Sequence, residues 1–221
     1  MSLTVKICGL KTPETLDVAL DASADMVGFV FFPPSPRSVT LAEAGALSAR
    51  VKGRAGKVAL TVDADDALLA DIVAALAPDL LQLHGREPPE RVAAIRAKFG
   101  LPVMKAIPVE TRADLDLVGN YESVVDRILF DARAPKDATR PGGLGKPFDW
   151  NLLKDLSLSV PYVLSGGLTP DNVAEALRIT RADGVDVSSG VERAPGEKDA
   201  EKIRVFIRNA RQAAASLMSN A

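Results

Sequence analysis

One cysteine and one histidine occur in the 221 residues, and both scarcities exclude whole classes of protein. A lone thiol cannot close an intrachain disulfide, so a disulfide-stapled secreted scaffold is out. One Cys with one His cannot furnish a Cys/His zinc site, and no metal is expected. Aromatics are few: seven Phe, two Tyr and one Trp, which leaves little for base-stacking platforms. Basic excess is missing too, with 27 Lys+Arg against 29 Asp+Glu and a net charge of -2, so nucleic acid is not an expected partner. No apolar run approaches the roughly 20 residues of a membrane helix. The start, MSLTVKICGLKTPE, turns polar at once, so no signal-peptide core is expected. The expectation is a reduced, cytoplasmic chain with no membrane partner.

What is present is an alternation. Short β-branched apolar runs at 3–8, 26–31, 57–62, 80–84, 102–107, 127–131, 162–166 and 184–189 read as strands. Amphipathic stretches separate most of them, at 13–23, 41–51, 66–77, 89–99, 113–121, 170–179 and 197–214. Helix starts are signalled by Thr12-Pro13, Pro88-Pro89 and Thr169-Pro170-Asp171. Alternation of this kind means parallel strands joined by helical crossovers. Eight units of about 28 residues fit a (β/α)8 TIM barrel, an α/β fold, as a single domain over 1–221; a doubly wound open sheet is the alternative. No internal repeat or linker divides the chain. The stretch 131–150 is longer than an ordinary connection and reads as a working loop.

In a barrel, polar residues at the C-terminal ends of strands have a functional reading. Cys8, Asp63, His84 and Asp131 end or follow strands one, three, four and six. Gly166-Gly167 and Ser189-Gly190 end strands seven and eight, where glycine turns let backbone N–H groups and a following helix start approach a phosphate; a lone pair reads as a tight turn, but two on consecutive units make phosphate the better reading. Alternation places Lys6 and Cys8 inside the barrel and Val5 and Ile7 toward the helices. A nearby cation would lower the Cys8 thiol toward thiolate; a small buried hydrophobe is the plain alternative. Asp131 ends an apolar strand, where a carboxylate is costly unless paired or used. Arg37 in FPPSPRS could clamp a carboxylate bidentately. His84 reads first as a structural histidine, and Asp186 as the partner of an interior cation such as Lys6.

KICGL (6–10), GFVFFPPSPRSV (28–39), LQLHG (81–85), FDAR (130–133), GGLGKPFDW (142–150), LSGGLTPDNV (164–173) and DVSSGVERAPGEKDAEKI (186–203), in this order, resemble the N-(5'-phosphoribosyl)anthranilate isomerases of tryptophan biosynthesis. The resemblance implies a cofactor-free Amadori rearrangement of a phosphorylated aminosugar. It implies that Cys8 is the general base and Asp131 the general acid, that Arg37 faces the anthranilate carboxylate, and that Gly166, Gly167, Ser189 and Gly190 grip phosphate, with His84 also against substrate. It leaves the chain a monomer or a weak homodimer, with contact to a neighbouring pathway enzyme open. One departure is Leu144, where the family commonly carries a hydroxyl residue. Three alternatives are a sister barrel acting on an aminoimidazole substrate, which has aspartate at the Cys8 position; a ribulose-phosphate epimerase, which needs more histidines; and a non-catalytic sensor of a phosphorylated metabolite.

Overall fold

The apolar segments pair in parallel and close on themselves. The computed structural model describes residues 3–135, 142 and 147–219. Its barrel strands are β1 (Thr4–Cys8), β2 (Met26–Phe31), β3 (Gly56–Thr61), β4 (Leu80–Leu83), β5 (Val103–Val109), β6 (Arg127–Ala132), β7 (Tyr162–Leu164) and β8 (Gly184–Val187). Each bonds to the next, and β8 returns to β1 with Val185 opposite Val5. That last pairing excludes the open sheet and makes the fold a (β/α)8 barrel.

Alternation along each strand sorts side chains between two cores. Val58, Leu80, Met104, Leu129 and Val163 fill the barrel interior, and Cys8, Val30 and Leu60 cluster separately at the site. Val5 and Ile7 join the larger cluster under the helices, as the alternation predicts. The helices are α1 (Pro13–Asp21), α2 (Leu41–Val51), α3 (Asp66–Leu76), α4 (Pro89–Phe99), α5 (Val173–Thr180) and α6 (Ala200–Ser219). Thr12, Thr40 and Asp65 cap the first three with their side-chain oxygens.

Four segments depart from the sequence expectation. The stretch after β5 is a 3-10 helix, Arg112–Asn120; Asp114 turns back to accept from the Glu110 and Thr111 amides, a local bond that competes with α-helix. After β6 the described crossover is one short 3-10 turn, Trp150–Leu153. Thr169-Pro170-Asp171 precedes α5 rather than starting it, because Asn172 accepts from the Thr169 amide and delays the helix to Val173. Likewise Glu197–Lys198 is a strand, β10, paired antiparallel with β9 (Glu192–Ala194), and α6 starts after it.

The opposite end of the barrel carries a repeated strut. Asp25, Asp79, Asp126 and Asp183 each stand just before an even-numbered strand. Each accepts from an amide at the start of the preceding odd one: Val5, Lys57, Val103 and Tyr162, at 2.6, 2.7, 2.9 and 3.0 Å. These carboxylates tie the strands in pairs at the face remote from the candidate site.

Candidate active site

A cavity of about 380 Å³ opens at the C-terminal ends of the strands. Cys8, Arg37, His84, Asp131, Gly166, Gly167 and Ser189 all line it. Gly190 backs the wall: a Cβ there would stand 1.8 Å from the Leu168 carbonyl oxygen, so only glycine lets the two turns touch. Around the ring, β7 and β8 separate β6 from β1, so the glycine turns lie between Asp131 and Cys8. Val30, Phe32, Leu60 and Val62 form an apolar wall beyond Cys8. Neither Gly166 nor Gly167 donates its amide to a described residue, and both have positive φ, 81° and 67°. The helix start expected behind Ser189 is only the 3-10 turn Ser189–Val191.

Asp131 is buried at the end of β6 with a polar partner on each oxygen. Its Oδ1 accepts from the Ala132 amide at 2.9 Å, and its Oδ2 lies 3.1 Å from His84 Nε2. His84 Nδ1 in turn lies 3.0 Å from the Gln82 amide nitrogen. Gly142 closes over this pair: a Cβ on it would come within 2.4 Å of Asp131 Oδ2. The turn carrying His84 is fixed from below by a buried ion pair, Lys105 Nζ to Glu87 Oε2 at 3.0 Å, and Lys105 also donates to the Leu83 and Gly85 carbonyls. Asp63 serves that turn as well, accepting from the Arg86 amide at 2.6 Å.

On the other side, Cys8 and Lys6 both face inward from β1. Lys6 Nζ is 2.9 Å from Asp186 Oδ1, so the expected interior pair is present. Burial works to lower the Lys6 pKa, but Asp186 and Cys8 outweigh it and hold the ammonium above its ordinary value. The expected lowering of the Cys8 thiol is not found. Burial pushes it up, and the pull of Lys6 and Lys198 toward thiolate only partly offsets that. The cation is where the sequence suggested; desolvation at a buried strand end is the stronger effect.

Arg37 is buried and clamps a carboxylate bidentately, as its type allows, but the carboxylate is that of Glu192. Glu192 also accepts from Lys198 Nζ at 2.8 Å and the Gly196 amide at 3.2 Å. Burial would raise its pKa, yet these bonds from Arg37 and Lys198 hold it below the ordinary carboxylate range. Lys198 continues to Ser188, whose hydroxyl donates to the Cys8 carbonyl at 3.1 Å. The Arg37 chain passes over Gly9, where φ is 76° and a Cβ would stand 2.7 Å from Arg37 Cδ.

The family model for N-(5'-phosphoribosyl)anthranilate (PRA) isomerase matches residues 5–209. The chain belongs to the phosphoribosylanthranilate isomerase family. It is 68% identical over 213 residues to the N-(5'-phosphoribosyl)anthranilate isomerase of Bradyrhizobium sp. (strain ORS 278), covering 96% of this chain and 97% of that one. Against the enzyme of Nitrobacter winogradskyi the identity is 66%, over 98% of this chain and 96% of the relative. Among solved structures, phosphoribosyl anthranilate isomerase from Thermotoga maritima superposes with a TM-score of 0.85 at 36% identity, covering 95% and 99% of the two chains. The chain is thus an isomerase of tryptophan biosynthesis.

Within this isomerase, the cavity residues Cys8, Arg37, His84, Asp131, Gly166, Gly167 and Ser189 were legible in the sequence, whereas the apolar wall and the supporting Gln82, Lys105, Glu87, Glu192 and Lys198 were not. Gln82 left a signal, an amide at an inward position of an otherwise apolar strand, where it must find a partner. Glu192 and Lys198 left none, because the hairpin that folds them back beneath Arg37 has no periodicity. Leu144 lies outside the described residues. Among the described residues no group of three or more His, Cys, Asp or Glu could hold a metal ion, and no helix is long and apolar enough to cross a membrane.

Proposed function

We propose that this chain converts N-(5'-phosphoribosyl)anthranilate to 1-(2-carboxyphenylamino)-1-deoxyribulose 5-phosphate by acid/base catalysis, without a cofactor. Asp131 gives its proton to the ring oxygen as the C1'–O bond breaks, and the aryl nitrogen lone pair forms the Schiff base. Cys8 thiolate then takes the C2' proton, and the electron pair moves to C1'=C2', giving an enol-amine that tautomerises to the ketone. The phosphate sits on the turns at Gly166, Gly167, Ser189 and Gly190, where backbone amides can donate. His84 orients the acid. Arg37 meets the anthranilate carboxylate while its ring lies on Val30, Phe32, Leu60 and Val62.

The observation that carries this reading is that Cys8 and Asp131 line one cavity, with the glycine turns between their strands. A sugar anchored by its phosphate at β7 and β8 would extend between acid and base. A related structure, at 34% identity and a TM-score of 0.81, holds reduced 1-(o-carboxyphenylamino)-1-deoxyribulose 5-phosphate, a ligand of the same chemistry. The cysteine and the apolar wall favour the aryl substrate over an aminoimidazole one. A reduced cytoplasmic setting suits the free thiol. The working form is a monomer or a homodimer, a dimeric form being described for the Thermotoga maritima relative; docking to a neighbouring pathway enzyme is left to a pull-down with that enzyme.

The test is loss of anthranilate fluorescence on purified protein, with the aminoimidazole substrate followed separately by chromatographic separation of substrate and product. Cys8→Ser and Asp131→Asn, each folded by circular dichroism, should lose on the order of 10²–10⁴ of the rate. Most of the rate surviving in either variant contradicts the assigned roles. A folded but inactive wild type contradicts the function, and leaves the metabolite sensor as the reading.

A further inference from the structure

Gln82 is fully buried on β4 and faces the barrel interior, where its neighbours across the strands are Leu60 and Met104. Its Oε1 has no hydrogen-bond partner among the described residues. Packing alone gives no reason for an amide here, since leucine or methionine would fill the position without an orphaned carbonyl. Its one polar contact is the amide nitrogen, 3.0 Å from His84 Nδ1.

We propose that Gln82 is a positioning residue that holds His84 as the Nε2–H tautomer, so that the acid proton of Asp131 is directed into the cavity. An amide nitrogen can only donate, so Nδ1 must accept, and a neutral imidazole then carries its hydrogen on Nε2. That hydrogen points at Asp131 Oδ2, 3.1 Å away, while the Ala132 amide occupies Oδ1 at 2.9 Å. One lone pair per carboxyl oxygen is taken from behind. The proton that Asp131 delivers has only the remaining positions, toward the cavity. With the opposite tautomer, a bare Nε2 would accept that proton and draw it away from the substrate. Gly142 and Gly166 crowd the same carboxylate, each within 3.0 Å of an Asp131 oxygen if given a Cβ, so the acid cannot swing away to another partner.

This inference rests on Asp131 being the acid of the proposed reaction, but its spectroscopic test does not. The chain has one histidine, so imidazole nitrogen signals need no assignment. Long-range 1H–15N correlation on the full-length labelled protein near neutral pH should show a neutral ring protonated on Nε2. Gln82→Met, of similar length but unable to donate, should give a mixture of tautomers, lower kcat at least about tenfold and leave KM within about twofold. Gln82→Glu, which can only accept, should move the hydrogen to Nδ1 or protonate both nitrogens. A wild-type ring protonated on Nδ1 or on both nitrogens overturns the proposal; so does a tautomer shift with unchanged kcat, or an unshifted tautomer in both variants. Should the methionine variant not fold, the wild-type and glutamate spectra decide. A wild type inactive on the anthranilate substrate, with the Nε2–H tautomer in place, counts against the functional reading and not against the hydrogen-bond order.

Discussion

Arg37 offers Nε and Nη2 to the two oxygens of Glu192 at 2.7 Å each, a contact between residues 155 positions apart. The cation at the cavity wall is thereby held by a carboxylate on the hairpin that follows β8. That carboxylate also anchors Lys198 and the Gly196 amide, so the Arg37 loop and the hairpin that follows β8 are joined through one group.

Replacing Glu192 by Gln removes one anion and leaves two buried cations facing each other. Losing one member of a buried pair costs about 3–5 kcal/mol. Glu192→Gln should therefore lower the melting temperature by several degrees, and raise KM for the anthranilate substrate more than it lowers kcat. An unchanged KM would separate Arg37 from substrate binding.

The pH dependence of Cys8 follows from its surroundings. Burial raises the thiol pKa and Lys6 opposes that rise. Alkylation by iodoacetamide without substrate should climb with pH, with a midpoint above that of an ordinary thiol. Removing the cation makes the thiolate less favourable, so in Lys6→Met the midpoint moves to still higher pH. Below the midpoint, the alkylation rate at a fixed pH then falls about tenfold for every pH unit by which the midpoint has risen. A midpoint that stays or drops would mean that Lys6 does not act on the thiol.

Gly142 has no room for a side chain beside Asp131, the nearest oxygen being 2.4 Å from an added Cβ. Gly142→Ala should displace Asp131 or residue 142 itself by a fraction of an ångström and, with Asp131 as the proposed acid, cut kcat on the order of 10²-fold. Thermal stability should hardly change. Full activity in the variant would show that Gly142 does not stay against Asp131 during turnover.

Asp183 belongs to the remote face, where it accepts from the Tyr162 amide at 3.0 Å. Asp183→Ala leaves that amide unpaired and should cost about 1–3 kcal/mol in chemical denaturation. Its kcat and KM should match the wild type. A large loss of activity in folded protein would break the division between a stabilising face and a reacting face.

The barrel was legible because short β-branched apolar runs alternate with amphipathic stretches, and each strand lies within two residues of its expected range. Cys8, Asp131 and the glycine turns were legible because they interrupt apolar strands at their C-terminal ends. Arg37 was found by its motif, but its partner Glu192 was not, because no local pattern predicts a contact spanning 155 positions. The thiol's upward shift was misjudged from sequence because burial depends on every neighbour, whereas Lys6 stands only two residues away. The four aspartates before the even strands left no visible repeat, since a single residue in each pair of units carries it.

In the proposed reaction, acid and base flank a sugar whose phosphate is held between their strands. A crystal structure of this chain with a reduced product analogue tests it most directly. The phosphate is expected on the turns at Gly166–Gly167 and Ser189–Gly190, with Cys8 Sγ and an Asp131 oxygen both within hydrogen-bonding reach of the sugar, on different sides of it. Phosphate bound elsewhere, or either residue out of reach of the sugar, would contradict it.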